Sequence, residues 1–355
     1  MKKSSAFICA AALVLTGFAS HAATGYHLIK SIPISGDWTW DYIGMDTAHR
    51  HVFVSHGPEL EILNADTYQI DGKIVAPGVD FSKPETLAVM NVRGAAAAED
   101  IGRGFVPNAR DGSVSIFDLN TLKVLATVKV GENPDGYLYD PATHRGFTFS
   151  NRSKGAIAVD LRDAKLAGTV PLGSKPEGGA ADGKGHIFVD MQEKDVVAKI
   201  DSRKLMLEQS WPTAPCKQPT SMAIDTKNDR LFIGCRGTSP MLVVMDSTNG
   251  KIVTTLPIGN GTDAAAFDAE KRLIFTSNGG DGTITVVQEE SPDKFAVVDT
   301  VKTQPGARTM TLDTRSHKLF LITANRTTPP AVAGQPAPRP QMVAGSFRVL
   351  VVGAE

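Results

Sequence analysis

A unit of 42 to 45 residues repeats along the chain and predicts an all-β fold, a seven-bladed β-propeller with four-stranded antiparallel blades. In each unit an apolar run ends in Asp, and a turn, a basic residue and a second run of β-branched and aromatic residues follow. The spacing is regular, at 42, 43, 43 and 45 residues between Asp140, Asp182, Asp225, Asp268 and Asp313.

The first half of each unit predicts two strands, A and B, joined at the Asp turn. Clear copies are residues 43–46 with 50–54, 137–140 with 145–149, 222–225 with 230–233, 265–268 with 272–275, and 310–313 with 318–321. Weaker copies lie at 182–189 and near 103–106. Because Asp side chains accept hydrogen bonds from the backbone of their own turn, we interpret the repeated Asp as structural.

The second half of each unit predicts strands C and D, as in residues 114–118 and 123–128. The seventh unit lacks its fourth strand, because the chain stops soon after the run 347–352. Residues 26–32 form a spare strand at the other end of the chain. We predict that this N-terminal strand completes the last blade, since closure removes the exposed sheet edges of an open array.

The N-terminus has the pattern of a signal peptide over residues 1–22. Lys2 and Lys3 precede an apolar run at 6–18, and Ser20, His21 and Ala22 fit a cleavage site. A retained anchor is the alternative, but the run is shorter than the roughly 20 residues that span a bilayer. We therefore expect export to the periplasm, or to the extracellular space, of a single propeller domain over residues 23–355. No later segment is apolar enough to span a membrane.

The charge balance disfavours some partners. The chain has 37 Lys and Arg against 38 Asp and Glu, without a basic block. Nucleic-acid binding is therefore not supported, because it usually needs a concentrated basic surface. We expect a monomer that binds a periplasmic protein, a peptide or a small molecule.

Two cysteines remain after residue 22 in a chain predicted to enter an oxidising compartment. Cys216 and Cys235 fall in one repeat, before strand A and at the end of strand B, and we predict a structural disulfide between them. Free thiols with a redox or metal-binding role are the alternative. Residues 328–341 are rich in proline and predict a loop within the last blade.

Candidate binding residues follow from propeller geometry. The D-to-A and B-to-C connections share the face around one mouth of the central channel. The polar and aromatic residues predicted there are Trp40, Asp41, His56, Glu85, Asn108, Asp135, Asn151, Glu177, Asp263, Asn278 and Arg308. Trp40 could stack on a ligand or close the core between the first and last blades. His56 could be a base or a ligand to a metal, or be simply exposed on its loop.

Most of the predicted D-to-A residues are acidic. Carboxylates that converge on a narrow channel repel one another, and a bound cation would offset that repulsion. Hard cations prefer oxygen ligands, so Glu85, Asp135, Glu177 and Asp263 could bind a divalent, calcium-like ion. Alternatively, these side chains point outward and meet water or Arg308. No cofactor is otherwise indicated.

The repeats resemble the YVTN-type β-propeller repeat family, which includes the YncE-like proteins of bacterial periplasms. Residues 117–124, 131–135 and 306–310 carry the resemblance, which extends over nearly all of the chain after residue 22. It implies the propeller fold and a periplasmic location, and it says little about activity, because propellers have many unrelated functions.

Three functions are consistent with these observations. The first is a binding or interaction module that presents its ligand at the channel mouth, because the sequence contains no evident set of nucleophile, base and orienting residue. The second is an enzyme, a metal-assisted lactonase in which a cation polarises the ester carbonyl and Asp135 or Glu177 moves the proton. The third is an accessory subunit of a redox or transport system.

Overall fold

The computed structural model describes residues 24–83, 92–330, 338 and 340–354. Seven four-stranded antiparallel sheets lie in a ring, as the sequence predicts. Each innermost strand contacts the innermost strands of the two neighbouring sheets, and the cycle of contacts closes on itself. The chain is therefore a seven-bladed β-propeller.

Six blades consist of consecutive strands, ordered A to D from the channel outward. Blade 1 contains β2 (Ile43–Asp46), β3 (His51–His56), β4 (Glu59–Asn64) and β5 (Ile70–Val75). Blade 2 contains β6 (Ala96–Ala98), β7 (Arg103–Asn108), β8 (Ser113–Asp118) and β9 (Val124–Lys129), with a one-turn 3₁₀ helix at Glu99–Ile101 between its first two strands. Blade 3 contains β10 (Pro134–Asp140), β11 (Arg145–Ser150), β12 (Gly155–Asp160) and β13 (Lys165–Pro171).

Blades 4 to 6 follow the same order. Blade 4 contains β14 (Pro176–Ala181), β15 (His186–Met191), β16 (Val196–Asp201) and β17 (Met206–Pro212). Blade 5 contains β18 (Pro219–Asp225), β19 (Arg230–Cys235), β20 (Met241–Asp246) and β21 (Ile252–Pro257). Blade 6 contains β22 (Thr262–Asp268), β23 (Leu273–Asn278), β24 (Thr283–Ser291) and β25 (Lys294–Lys302).

Blade 7 joins the two ends of the chain. Its strands are β26 (Met310–Asp313), β27 (Lys318–Thr323), β30 (Arg348–Ala354) and, outermost, β1 (Tyr26–Pro33). The antiparallel pairing of β1 with β30 confirms the predicted closure by the N-terminal strand. Between β27 and β30 a short hairpin of β28 (Arg326–Thr327) and β29 (Gln341–Met342) brackets the proline-rich segment, of which residues 331–337 and 339 lie outside the described part.

The hydrophobic core is divided among the gaps between blades. Seven buried clusters occur among the described residues, one at each gap. The cluster between blades 7 and 1 contains Val52, Phe320 and Phe347, for example. This packing fixes the angle of each blade to the next and thereby sets where the A strands reach the channel.

The repeated Asp residues stabilise the A–B turns. Asp140 accepts a hydrogen bond from the backbone N–H of Ala142, and Asp225 and Asp268 accept equivalent bonds from Lys227 and Glu270. These turns lie on the face opposite the D-to-A connections. The structural interpretation of the repeat Asp residues is therefore confirmed.

The disulfide between Cys216 and Cys235 is present and confirms the predicted pair. It joins the connection before β18 to the end of β19, and both cysteines are buried. The bond therefore fixes one D-to-A connection to its own blade on the mouth face.

We predict that the double variant Cys216→Ala/Cys235→Ala is less stable by about 3 kcal/mol, because the crosslink removes loop entropy from the unfolded chain. Urea unfolding measures the difference in free energy of unfolding, and reduction of the wild type should reproduce it. An unchanged midpoint in both experiments would show that the crosslink contributes nothing to stability.

Candidate functional site

The residues at the mouth are positioned by irregularities at the start of the A strands. In blades 3 to 6 the first A-strand residue pairs with the last B-strand residue, and the register shifts immediately afterwards. Asp135, Glu177 and Asp263 each occupy the second position of their strand, within this shift. A bulge of this kind re-aims side chains, and here it directs three carboxyl groups out of the sheet ladder.

Four carboxyl groups and four cationic groups meet at the mouth. We call this set the charged rim, and its members are Asp41, Arg93, Asp135, Lys175, Glu177, Arg236, Asp263 and Arg308. Four of them, Asp41, Asp135, Glu177 and Asp263, belong to the predicted mouth residues, together with Arg308. The structure brings these five together, whereas Glu85 lies outside the described residues.

Each carboxyl group of the rim contacts a cation. Arg93 forms an ion pair with Asp41 and lies 3.5 Å, from Nε to Oδ1, from Asp135. Arg308 lies 3.5 Å from Asp41 and 3.3 Å from Asp263, measured between guanidinium nitrogens and carboxylate oxygens.

The remaining pairs complete the rim. Lys175 contacts Glu177, and Arg236 contacts Asp263. Asn151 joins the set by donating a 2.9 Å hydrogen bond from Nδ2 to Asp135. The rim is thus a network of alternating charges rather than a ring of carboxylates alone.

This network supplies the offset that the sequence analysis assigned to a bound cation. Among the described residues no group of three or more His, Cys, Asp or Glu side chains is arranged to hold a metal ion. Asp135, Glu177 and Asp263 instead have guanidinium or ammonium neighbours. Their mutual repulsion therefore no longer argues for a metal, and the metal site at these residues stays a prediction.

We expect calcium chloride to leave the melting temperature unchanged, because arginine and lysine side chains already occupy the space around the carboxylates. Thermal unfolding with chelator, and then with calcium and other divalent ions, checks this. A saturable rise that is lost in Asp135→Asn would contradict it and establish the cation site.

Burial changes the acid–base behaviour of the rim. It raises the pKa of Asp135 to about 7, because loss of hydration and the nearby Asp41 and Glu177 outweigh the opposing effect of Arg93. Burial also raises the pKa of Glu177 against the opposing effect of Lys175. The rim therefore contains a group that changes charge near neutral pH.

Two tyrosines lie beneath the rim and were not predicted from the sequence. Tyr42 and Tyr137 line a channel cavity of about 160 Å³ together with Glu177, Gly178, Ser221 and Asp263. Their rings pack edge to face, with 5.8 Å between centroids. Burial and the four rim carboxylates together raise the pKa of Tyr42 well above its usual value, so its phenol stays protonated.

An open groove adjoins the rim. It has a volume of about 550 Å³ and lies between the B-to-C loops of blades 2 and 3, lined by Arg110, Asp111, Gly131, Glu132, Asn133 and Arg152 among others. The side-chain oxygen of Asn133 lies 3.4 Å from Arg93, so the groove and the charged rim are contiguous. A ligand larger than the cavity could extend into it.

Two further residues predicted at the mouth, Asn108 and Asn278, are buried in the interior of the protein. Asn108 donates from Nδ2 to Ser113 and Ser115, and Asn278 donates in the same way to Thr283 and Thr285. Both amides therefore cross-link strands B and C of their own blades. This intrablade role is visible only when the strand pairing is known.

Trp40 and His56 lie at the gap between blades 1 and 7. Trp40 packs on Phe347, and the guanidinium group of Arg326 lies over the Trp40 ring, 5.2 Å from its centroid. His56 is fully buried, stacks on Phe347 at 4.2 Å and lies 2.8 Å from Glu61 through Nδ1. Of the alternatives for Trp40, the structure favours the core at the blade closure, and it places His56 in the interior rather than on an exposed loop.

Asp190 is the most unusual buried group near the rim. It is 0% exposed, and neither carboxyl oxygen has a hydrogen-bond partner among the described residues. Burial, with a further contribution from Glu177, raises its pKa well above the usual range. The sequence places Asp190 near the end of a B strand, but nothing in the repeat pattern signals that it is both buried and unpaired.

We predict that Asp190→Asn becomes progressively more stable than the wild type as pH rises from 5 to 8. The raised pKa means that the folded chain holds a proton that the unfolded chain has released, so the wild type loses up to about 1.4 kcal/mol per pH unit in this range. In the asparagine variant residue 190 contributes no such pH dependence to the stability, because an amide does not titrate in this range. Urea unfolding at several pH values measures the difference in free energy of unfolding between the variant and the wild type.

Asp201→Asn, at the end of β16 in the same blade, is the matched control. Hydrogen bonds from the backbone N–H and the side chain of Lys204, and from the backbone N–H of Arg203, lower the pKa of Asp201 to about 2, so that it is ionised in both states throughout this range. Its stability difference from the wild type should not vary with pH. A constant gap for Asp190→Asn as well would show that Asp190 is ionised in the folded protein.

Comparison with known proteins supports the fold and goes no further. No protein-family model and no curated protein matches the chain. Among solved structures, one from Kuenenia stuttgartiensis hydrazine synthase matches with a TM-score of 0.66 and 13% identity, over 81% of this chain and 94% of that one. A chain of the mitotic checkpoint complex matches with a TM-score of 0.68 and 15% identity, over 97% and 99%. At such identities the likeness shows a shared propeller architecture alone.

No helix in the described part of the chain is long and apolar enough to cross a membrane.

Proposed function

We propose that this protein is an exported binding module that holds a small polar ligand, or the end of a peptide, at the mouth of its channel. The observation that carries the proposal is the network of eight charged side chains at the mouth. Two of its members, Glu177 and Asp263, line the small channel cavity. Maintaining so many partly buried charges costs desolvation energy, and the interblade hydrophobic clusters already hold the ring together. We infer that the charges are retained at the mouth, despite this desolvation energy, because they bind a ligand.

The chemistry of the rim indicates the kind of ligand. Guanidinium groups bind carboxylates and other planar anions through paired hydrogen bonds, and the acidic members bind donors and cations. The phenols of Tyr42 and Tyr137 add two aromatic surfaces beneath. A dipolar molecule with both anionic and donor groups matches this set best.

The wider hypotheses remain proposals. We infer a periplasmic location from the N-terminal pattern, and similarity to the YVTN-type family would agree with it. A metal-assisted lactonase would need the rim carboxylates to release their arginine and lysine partners, so we place it second; the raised pKa of Asp135 is the feature that favours it, since a general base works best with a pKa near the operating pH. A role as an accessory subunit would be revealed by co-purification from the periplasm.

We predict that Asp135→Asn weakens ligand binding at least tenfold, because it removes one acidic member of the rim and unbalances its partner Arg93. Ligand-observed NMR with amino acids, short peptides, hydroxy acids and lactones would identify binders. Their dissociation constants would then be compared in the variant and the wild type.

Asp163→Asn is the control, since Asp163 is an exposed acid on the opposite face of the same blade, paired with Lys165. It should bind like the wild type. Binders that are equally affected by both variants, or by neither, would place the binding surface away from the channel mouth.

A further inference from the structure

The phenol of Tyr42 lies close to every acid of the charged rim. Burial raises its pKa, and all four rim carboxylates add to that rise, whereas Asp41 alone among them does so for Tyr137. Interactions between charges weaken with distance, so the contribution of all four acids places the Tyr42 oxygen near each of them. Arg93 and Arg308 also interact with it electrostatically. The phenol is therefore placed to act together with the rim on a ligand.

The fold holds Tyr42 in place without using its hydroxyl group. The backbone N–H of Tyr42 donates to the carbonyl of Arg93 at 3.0 Å, and its carbonyl accepts from the hydroxyl of Ser55 at 2.7 Å. Its ring packs edge to face on Tyr137. The hydroxyl group itself makes no hydrogen bond with any residue of the described part of the chain. A positioned donor without a partner calls for an explanation, and a ligand supplies one.

The cavity that Tyr42 lines has room for part of a ligand. Its volume of about 160 Å³ resembles that of an engineered cavity of roughly 150 Å³ that binds benzene. Small residues keep the space open, namely Gly136, Gly178, Gly179, Ala264 and Ala265. Met222 and Met310 add apolar surface to the same wall. A fragment of roughly six carbon atoms or fewer therefore fits inside.

Two acids share this cavity with the phenol. Glu177 and Asp263 line it, and they contact Lys175 and Arg308 respectively. A carboxylate has about four lone-pair sites, so these contacts leave acceptor capacity on both acids. The phenol forms a hydrogen bond to neither acid. A ligand group that joins the phenol to a carboxylate must therefore accept from the first and donate to the second.

We propose that the channel cavity is a subsite for a neutral hydroxyl group of the ligand, which accepts a hydrogen bond from Tyr42 and donates one to Glu177 or Asp263. A hydroxyl group has one donor and two acceptor lone pairs on a single atom, which matches this requirement. The inference rests on the proposed binding function, in which guanidinium groups hold the anionic part of the ligand. It narrows the ligand class to hydroxy acids.

Other groups fit the cavity less well. An anion beside the phenol would meet the same four carboxylates that oppose ionisation of Tyr42. An ammonium group has no acceptor for the Tyr42 hydroxyl, and a methyl group would leave that donor unpaired. A carboxamide has both a donor and an acceptor, but on two different atoms, so it enters the test as a competing group.

The test compares acids that differ by one hydroxyl group, with the full chain as the protein. The pairs are 3-hydroxypropionate with propionate, lactate with propionate, and 3-hydroxybutyrate with butyrate, and NMR or calorimetry gives each dissociation constant. In at least one pair we expect the hydroxy acid to bind the wild type about fivefold more tightly or better. Tyr42→Phe should reduce this preference at least threefold, because the phenol and the ligand hydroxyl are coupled.

Two variants connect the preference to the phenol. Tyr42→Phe removes one oxygen atom and keeps the ring contact with Tyr137 and both backbone hydrogen bonds, so it should fold, which thermal unfolding checks. Tyr139→Phe is the matched control, because its phenol donates to Asp100 at 2.7 Å near the A–B turn, away from the mouth. It should bind both acids of each pair like the wild type.

The outcomes separate this inference from the proposed function. Equal binding of the two acids in every pair, a preference that survives Tyr42→Phe, or tighter binding of malonamate than of 3-hydroxypropionate would overturn the hydroxyl subsite. If the acids still bind in a manner sensitive to Asp135→Asn, the binding function stands without it. If no acid binds, the subsite is overturned, and the amino acids and peptides decide the binding function separately. A preference that depends on Tyr42 but not on Asp135 would keep the subsite and remove the role assigned to the charged rim.

Discussion

The pairing of β1 with β30 is the interaction on which the rest of the architecture depends. It joins the two ends of the chain within one sheet, with Tyr26 opposite Ala354 and Pro33 opposite Arg348. Arg50 adds a buried ion pair from blade 1 to Asp313 of blade 7, and Thr309 donates to the carbonyl of Asp41 across the same gap. Because the ring is closed, the blades cannot splay, and the A strands converge on a channel of fixed width.

The convergence of the A strands brings acidic side chains close together at the mouth, and the cations of the charged rim offset their repulsion. Acidic side chains at the start of blades 1, 3, 4 and 6 lie close together at the mouth, and cations from the same or neighbouring connections and blades stabilise them. Arg93, for example, serves Asp41 of the first D-to-A connection and Asp135 of blade 3. Such shared pairing keeps the rim close to neutral in the described residues while leaving both kinds of charge available to a ligand.

Departures from the repeat are more informative than the repeat itself. The turn aspartates and the seven hydrophobic clusters recur and account for stability. Asp190, by contrast, puts an ionisable group where Ser55 and Ser277 make ordinary hydrogen bonds to the backbone. In a repeat protein the neighbouring blades act as internal controls, and they show that the fold itself does not require a carboxyl group at this position.

The sequence by itself determined the number of blades, the role of the turn aspartates, the closing strand and the disulfide, because each depends on local pattern or on a spacing that repeats. It also identified five of the rim residues, since strand alternation and loop position place them on one face. It could not assign partners between blades. Packing of neighbouring blades brings Arg93 to Asp41 and Arg236 to Asp263, and closure of the ring brings Arg308 to Asp41. Lys175 is a local partner, two residues from Glu177. The burial of His56 and Asp190 was likewise decided by tertiary structure, because burial depends on what the neighbouring blade packs against a strand, and no single repeat contains that information.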